Sequence, residues 1–428
     1  MKVGVGSVEP GENGRRFQPP GNRAPRSDRK HPSTIEREVN VPKIGEKIEQ
    51  NRAPSGPLRV DTDQRPSPVE PPKTKPVVVW ATLGALLLAF EAWIIIRWVT
   101  GPYFVRVEPG PTQPPTWMKV ELILWQTLSI PAGLALIYWF IIRPWRREGR
   151  VGIDGILVAA FCTVAFQDPL SSYGGHWFAY NTWMFNRGSW VNSVPGWNSY
   201  GKPGAMLTEP LLFNPAAYIY GFVLAMVVGS AFMRMMRKRY PRIGNLPLIV
   251  TCYAVMIVFD IVLEGIVWMP LGIFHYGGGH WAIFPDHYFK YPMNEGLTIG
   301  LVYTSVACLR FFVNDRGQSP VECGIDEVRG GQLKKFVIRA LAMTAVVQGL
   351  MFVGYNVPNF WVGTHSAEWP KDVQDRSYFT SGLCGEGTNR ACPGPSVPLD
   401  KPGSGHVDTN GKFVPGDIAV PPVVPFMK

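Results

Sequence analysis

The chain has 428 residues and a formal net charge of +10. Its apolar residues are bunched into long runs between polar, Pro/Gly-rich stretches, a pattern that excludes an ordinary soluble globular chain. The near-neutral mean hydropathy is then an average over a membrane bundle and two hydrophilic tails. The basic residues cluster in the N-terminal tail and in short loops beside apolar runs, as the positive-inside rule and an anionic leaflet require, so no nucleic-acid partner is implied.

In chain order, residues 1–75 are rich in Pro, Arg, Lys, Gly and Ser and nearly devoid of aromatics. They cannot bury enough apolar surface to offset their ordering entropy, which predicts a disordered, basic cytoplasmic tail able to recruit a cytoplasmic partner. No apolar core follows the start, so the tail is not a signal peptide. The first predicted span covers 77–99 and carries Arg97, which can snorkel, and Glu91, which lies deeper and needs a partner. The second covers 117–142 and the third 153–170, ending at Asp168-Pro169. A long loop dense in Trp, Tyr, Phe, Asn and Gly follows. The fourth span is 211–233, the fifth 248–270, the sixth 295–312 and the seventh 336–357.

The loops at 143–150, 234–242 and 310–335 are basic, whereas those at 101–116, 171–209 and 274–294 are not. The reading is an all-α integral membrane protein, multi-pass in the cell membrane, with about seven transmembrane helices over 76–357 and a cytoplasmic N-terminus. Residues 358–428 are expected to form a Pro/Gly-rich extracytoplasmic extension. Cys384 and Cys392 bracket a short loop there and can form a disulfide if that side is oxidising.

The fifth span holds the main chemical signal. Asp260 and Glu264 stand four residues apart, on one helical face, inside an otherwise apolar run. Asp168 closes the third span, Asn294 and Glu295 open the sixth, and Asn356 ends the seventh, all at one end of the bundle. His176, Trp177, Asn181, His275, His280 and His287 lie in the loops above. These residues predict a pocket with Asp260 and Glu264 as acid–base pair. Asp168 and Glu295 support or replace one of them, and His176, Trp177, Asn181, His275 and Asn294 contact the substrate. A carboxyl group in an apolar cavity can act as general acid while an ionised neighbour acts as base. Such pairs suit ring closure, dehydration or isomerisation, with no cofactor and no metal. Bland readings exist beside this one. Two acids in one span can be a structural pair, and Trp, Tyr and His concentrate at membrane interfaces for anchoring alone. The histidines also allow an alternative, a metal site of His275, His280 and His287 in a membrane hydrolase, although their spacing matches no established motif.

The run from Phe166 to Asn181, together with Asp260-x3-Glu264 and the Pro292-Met-Asn-Glu-Gly296 entry to the sixth span, resembles the AveC-type spirocyclase family of polytopic actinobacterial membrane proteins. The likeness covers roughly residues 75–360, leaving both tails outside. It implies closure of a dihydroxy-ketone to a spiroketal in secondary metabolism, sometimes with dehydration and without a redox cofactor. The expected partners are the bilayer and a hydrophobic hydroxylated polyketide or lipid. The remaining rival is a non-catalytic lipid-binding or transport subunit of an envelope complex, favoured by the long N-terminal tail.

Overall fold

The computed structural model describes residues 75–170, 178–197, 207–399 and 404–416. The expected disordered tail, up to residue 74, and the loop residues His176 and Trp177 lie outside them. Among the described residues, six helices are long and apolar enough to cross a membrane. They are α1 (Pro76–Val99), α2 (Thr116–Glu148), α3 (Ile153–Leu170), α4 (Asn214–Arg239), α5 (Asn245–Trp268) and, after a further helix α6 (Met293–Phe311), α7 (Gln332–Thr364). Helices therefore occupy all seven stretches expected to span, and six of them meet the length and apolarity that a span needs. Helix α6 falls outside the six because Asn294, Glu295, Thr298, Thr304, Ser305 and Arg310 dilute its apolar run. It packs against α4, α5 and α7, so its polar residues face protein.

The helices are inside out relative to a water-soluble protein. In α1, Leu86 and Ile96 are 63% and 62% exposed while Glu91 is buried. In α5, Val258 and Ile266 are exposed while Asp260 is fully enclosed. Large apolar side chains turned outward on α1, α2, α4, α5 and α7, with acids turned inward, are the pattern of a membrane protein.

Helix α1 packs along α7, α3 packs on α7 and α4, and α4 also meets α2, α5 and α6. Small residues permit the closest approach: a Cβ on Gly84 of α1 would sit 1.9 Å from the Leu341 carbonyl oxygen of α7. The partner that Glu91 needs is Gln348 of α7, whose side-chain amide donates to it. From there a chain of amides crosses the bundle. Gln167 of α3 donates to the Gln348 side chain at 2.6 Å, and Asn356 of α7 donates to Gln167 at 2.9 Å.

The two ends of the bundle differ. At one end Arg310 forks onto Asp154 at 2.7 and 2.8 Å, and Arg339 holds Glu322. At the other, short ladders lock the loops. Strand β1 (Ala179–Tyr180) pairs antiparallel with β2 (Phe274–His275), and β3 (Ala282–Ile283) pairs with β4 (Tyr291–Pro292). Residues 366–392 lie across these loops. Thr182 donates to the Tyr378 carbonyl through its N–H (2.8 Å) and its hydroxyl (2.9 Å), the Ser377 N–H donates to Thr112 Oγ1 at 2.7 Å, and a disulfide joins Cys384 to Cys392.

Replacing Gly84 by Val is expected to push α1 off α7, since the Leu341 backbone cannot retreat. Overpacking of this kind costs about 1–3 kcal/mol. It should appear as a lower thermal unfolding midpoint of the detergent-solubilised protein, and an unchanged midpoint would contradict the α1–α7 packing.

Candidate functional site

At the ladder end, α3 and α5 finish, α4 and α6 begin, and α7 passes, so acids distant in sequence meet. The first set is Asp260 and Glu264 of α5 with Glu295 from the first turn of α6. After Asp260 the backbone of α5 widens into π-helical turns over Ile261–Trp268, a local rearrangement often found at functional sites. One oxygen of each of the three buried carboxyl groups lies within 4.8 Å of the others. Each acid is met by a phenol. The Tyr291 hydroxyl donates to Asp260 at 2.7 Å and the Tyr276 hydroxyl donates to Glu264 at 2.7 Å. Those of Tyr355 and Tyr276 reach Glu295.

Tyr291 is placed by two glycines. A Cβ on Gly265 would come 2.9 Å from its ring, and one on Gly296 would come 2.7 Å from its oxygen. None of the ion pairs among the described residues involves these three acids. Their all-oxygen donor set is of the kind that suits a hard cation such as Mg²⁺ or Ca²⁺.

The second set is Asp168 at the end of α3 with Glu209 from the loop before α4. The Tyr218 hydroxyl donates to Asp168 Oδ1 at 2.5 Å and Asn214 Nδ2 donates to Asp168 Oδ2 at 2.9 Å. The same amide nitrogen is 3.1 Å from Glu209 Oε2. Burial first, and the charge of Asp168 second, hold the Glu209 carboxyl well above the usual carboxylate range. Burial first and the neighbouring carboxylates second likewise push the phenols of Tyr180, Tyr276 and Tyr291 upward, so all three stay donors.

Between the two sets lies one cavity of about 50 Å³. Asp168 and Asn214 line one part, Glu264, Glu295 and Tyr355 another, and Phe178, Phe213, Phe222, Trp268, Phe274 and Tyr303 supply apolar wall. It has room for a few waters and falls well short of the roughly 300–1,000 Å³ of ligand pockets.

The other expected site residues lie elsewhere. Asp260 stands outside the cavity lining. Asn181 ties loops together, its amide donating to the Gly272 carbonyl at 2.9 Å and its oxygen accepting from the Trp183 N–H at 3.1 Å. Asn294 braces α6 to α7 by donating to Asn359 at 3.2 Å. His275 is buried against Trp369 and Phe379, with Nε2 3.1 Å from the Phe379 carbonyl oxygen. The three histidines of the metal alternative do not converge: His280 turns to the His365 carbonyl and His287 stacks on Phe289. Among the described residues, the group of three whose ligand atoms converge is Asp260, Glu264 and Glu295.

Sequence reasoning missed Glu209 and the phenols. The available signal was an acid directly before Pro210 at the entry to α4, in a loop read only for its aromatics and amides.

A family model described as "Spirocyclase AveC-like" matches residues 145–379, more than half of the chain. The matched stretch contains Asp168, Glu209, Asp260, Glu264 and Glu295, and leaves α1, most of α2 and the disulfide outside. No curated protein and no solved structure matches the chain.

The loops above the cavity carry their own pH dependence. Burial, aided by the charge of Lys290 and opposed by the Phe379 carbonyl, lowers the His275 ring from 6.5 to about 4. Across that window the unfolded chain binds a proton that the folded ring refuses. The contribution is complete above pH 6.5 and is lost as pH falls, by up to about 3 kcal/mol near pH 4. Because raised carboxyls such as Glu209 titrate with the opposite sign in this window, the readout is a difference: the unfolding midpoint of the native chain relative to His275→Gln should fall from pH 6.5 to pH 4. An equal slope in that variant would remove His275 as its source.

Proposed function

Because the chain belongs to the AveC-like spirocyclase family, we propose that it is a membrane-embedded cyclase. On this reading it closes a hydrophobic dihydroxy-ketone, a polyketide or a lipid, by acid–base chemistry. The observation that carries this reading is the sharing of one aromatic-walled cavity by carboxyl groups from two separate sets, Asp168 on one side and Glu264 with Glu295 on the other. Ring closure of a hydroxy-ketone needs a base for the attacking hydroxyl and an acid for the carbonyl oxygen. An apolar enclosure strengthens both roles.

The donors around each set suggest the assignment. Asp168 has both oxygens held by neutral donors, Tyr218 and Asn214, and has no ion-pair partner among the described residues, which fits a proton acceptor. Three carboxyl groups gathered without a cationic partner share protons among themselves, which fits a proton donor. In the proposed reaction a substrate hydroxyl gives its proton to Asp168 and bonds to the carbonyl carbon, while the carbonyl oxygen takes a proton from Glu264 or Glu295. The resulting hemiketal loses its hydroxyl as water on taking up the proton that Asp168 holds, which restores the Asp168 carboxylate. A second substrate hydroxyl then forms the other ring, and its proton returns the acid set to its starting state. Electrons balance without a redox partner, and the net change is loss of one water. Tyr276 and Tyr355 would hold Glu264 and Glu295 in place, and Asp260 supports them from outside the lining. The charge asymmetry of the loops supports an extracytoplasmic position for this end of the bundle, with the basic tail left to a cytoplasmic partner.

The test compares metabolites by mass spectrometry in a strain lacking the gene, complemented with the native chain, Asp168→Asn or Glu264→Gln. Both variants should accumulate a precursor heavier than the product by one water, with conversion reduced about 10²–10⁴-fold. Asp260→Asn, lying off the cavity wall, should lose less. Native product from either cavity variant at native protein level would end this reading.

A further inference from the structure

Glu209 lies outside the cavity lining and has no part in the reaction above, yet its placement is costly. It is fully enclosed, and its backbone is pinned by an N–H bond to the Gly188 carbonyl at 3.1 Å and by the bridge between Asn186 and Pro210 beside it. No lysine, arginine or histidine forms an ion pair with it or with Asp168 among the described residues. The donors nearby serve Asp168 first. Tyr218 and Asn214 supply its two oxygens, and the Asn214 amide reaches Glu209 Oε2 only as a longer, shared contact. Tyr180 donates to Asn214 Oδ1 at 3.2 Å, which fixes the amide so that its NH₂ faces both acids. Glu209 Oε1 is buried and has no donor among the described residues.

Two adjacent carboxylates without a cation repel strongly in an apolar setting, and a buried oxygen without a donor adds a further cost. One proton relieves both. Placed on Glu209 Oε1, it turns an orphaned acceptor into a donor toward Asp168 and leaves the pair with a single negative charge. We infer that Glu209 and Asp168 act as one acid–carboxylate pair, in which Glu209 is a positioning residue that holds Asp168 anionic until it takes the substrate's hydroxyl proton.

Charge decides the direction of transfer. Accepting a proton takes the pair from one negative charge to none, whereas donating one would leave two adjacent charges in a low dielectric. The pair therefore fits a base, opposite the proton-rich set on α5 and α6. The other titratable groups facing it are Tyr180 from β1, Tyr218 from α4 and, across the cavity, Glu264 and Glu295. The catalytic half of this inference rests on the role proposed above for Asp168. The shared proton does not.

Infrared spectroscopy of the purified full chain in lipid nanodiscs tests the proton without any substrate. The spectrum of the native chain minus that of Glu209→Gln should contain the C=O stretch of a protonated carboxyl group at pH 8, shifted by deuterium exchange. In Asp168→Asn, which removes the neighbouring charge, that band should titrate away at lower pH than in the native chain. A difference spectrum with carboxylate bands alone, or a band whose titration ignores Asp168→Asn, would overturn the pair. In the complemented strain, Glu209→Gln should lower conversion at least about tenfold at native protein level. Native conversion alongside a confirmed shared proton would overturn the positioning role while leaving the cyclase reading intact. If conversion instead survives Asp168→Asn, the cyclase reading fails first.

Discussion

A carboxyl group inside a membrane bundle must find a hydrogen-bond donor, because neither lipid nor an apolar side chain can supply one. At the ionic end of this bundle the donors are arginines. At the other end they are phenols and amides, and much of the local architecture follows from delivering them. Tyr276 and Tyr291 come from the loop after α5, Tyr218 and Asn214 from α4, Tyr355 from the widened turns of α7. A phenol satisfies an acid without neutralising it. Each carboxyl group thus has a neutral donor on it and stays chemically available, which an arginine would not have allowed.

Delivering phenols from loops requires rigid loops. Two-residue ladders are too short to be stable alone. Here they are backed by an apolar cluster in which Tyr180, Phe274, Tyr276, Tyr291, Tyr378 and Phe379 pack together. The roof over the cavity is therefore a folded layer built from segments far apart in sequence. Its aromatic side chains pack over the cavity, and the small volume beneath it keeps bulk water out of the acid sets.

What the sequence disclosed follows from the reach of local physics. Apolar runs mark helices wherever lipid is the solvent, so α1 to α5 and α7 stand out. The depth of Asp260 and Glu264 could be counted along one helix. The partner of Glu91 could be demanded without being named. Helix α6 was legible as a helix although it is too polar to qualify by apolarity alone, since its neighbours are protein. The pairing of Asp168 with Glu209 could not be read, because it depends on a loop folding back across forty residues onto the end of α3. An acid in a polar loop ordinarily sits in water. His275 misled for the complementary reason: a histidine beside glycines looks available, but the carbonyl that occupies it comes from Phe379, over a hundred residues later. Tyrosines carry no signal of their own in a membrane protein, where interfaces are full of them.

The segment at 366–392 is the last part of the roof to leave the ribosome. Thr182, His275 and Thr112 all await main-chain or side-chain groups from it. All seven helices precede that segment in the chain, so the layer above the acids is completed only after the last of them has been made. A chain clipped before residue 366 would keep all seven helices and lose these contacts above the acid sets.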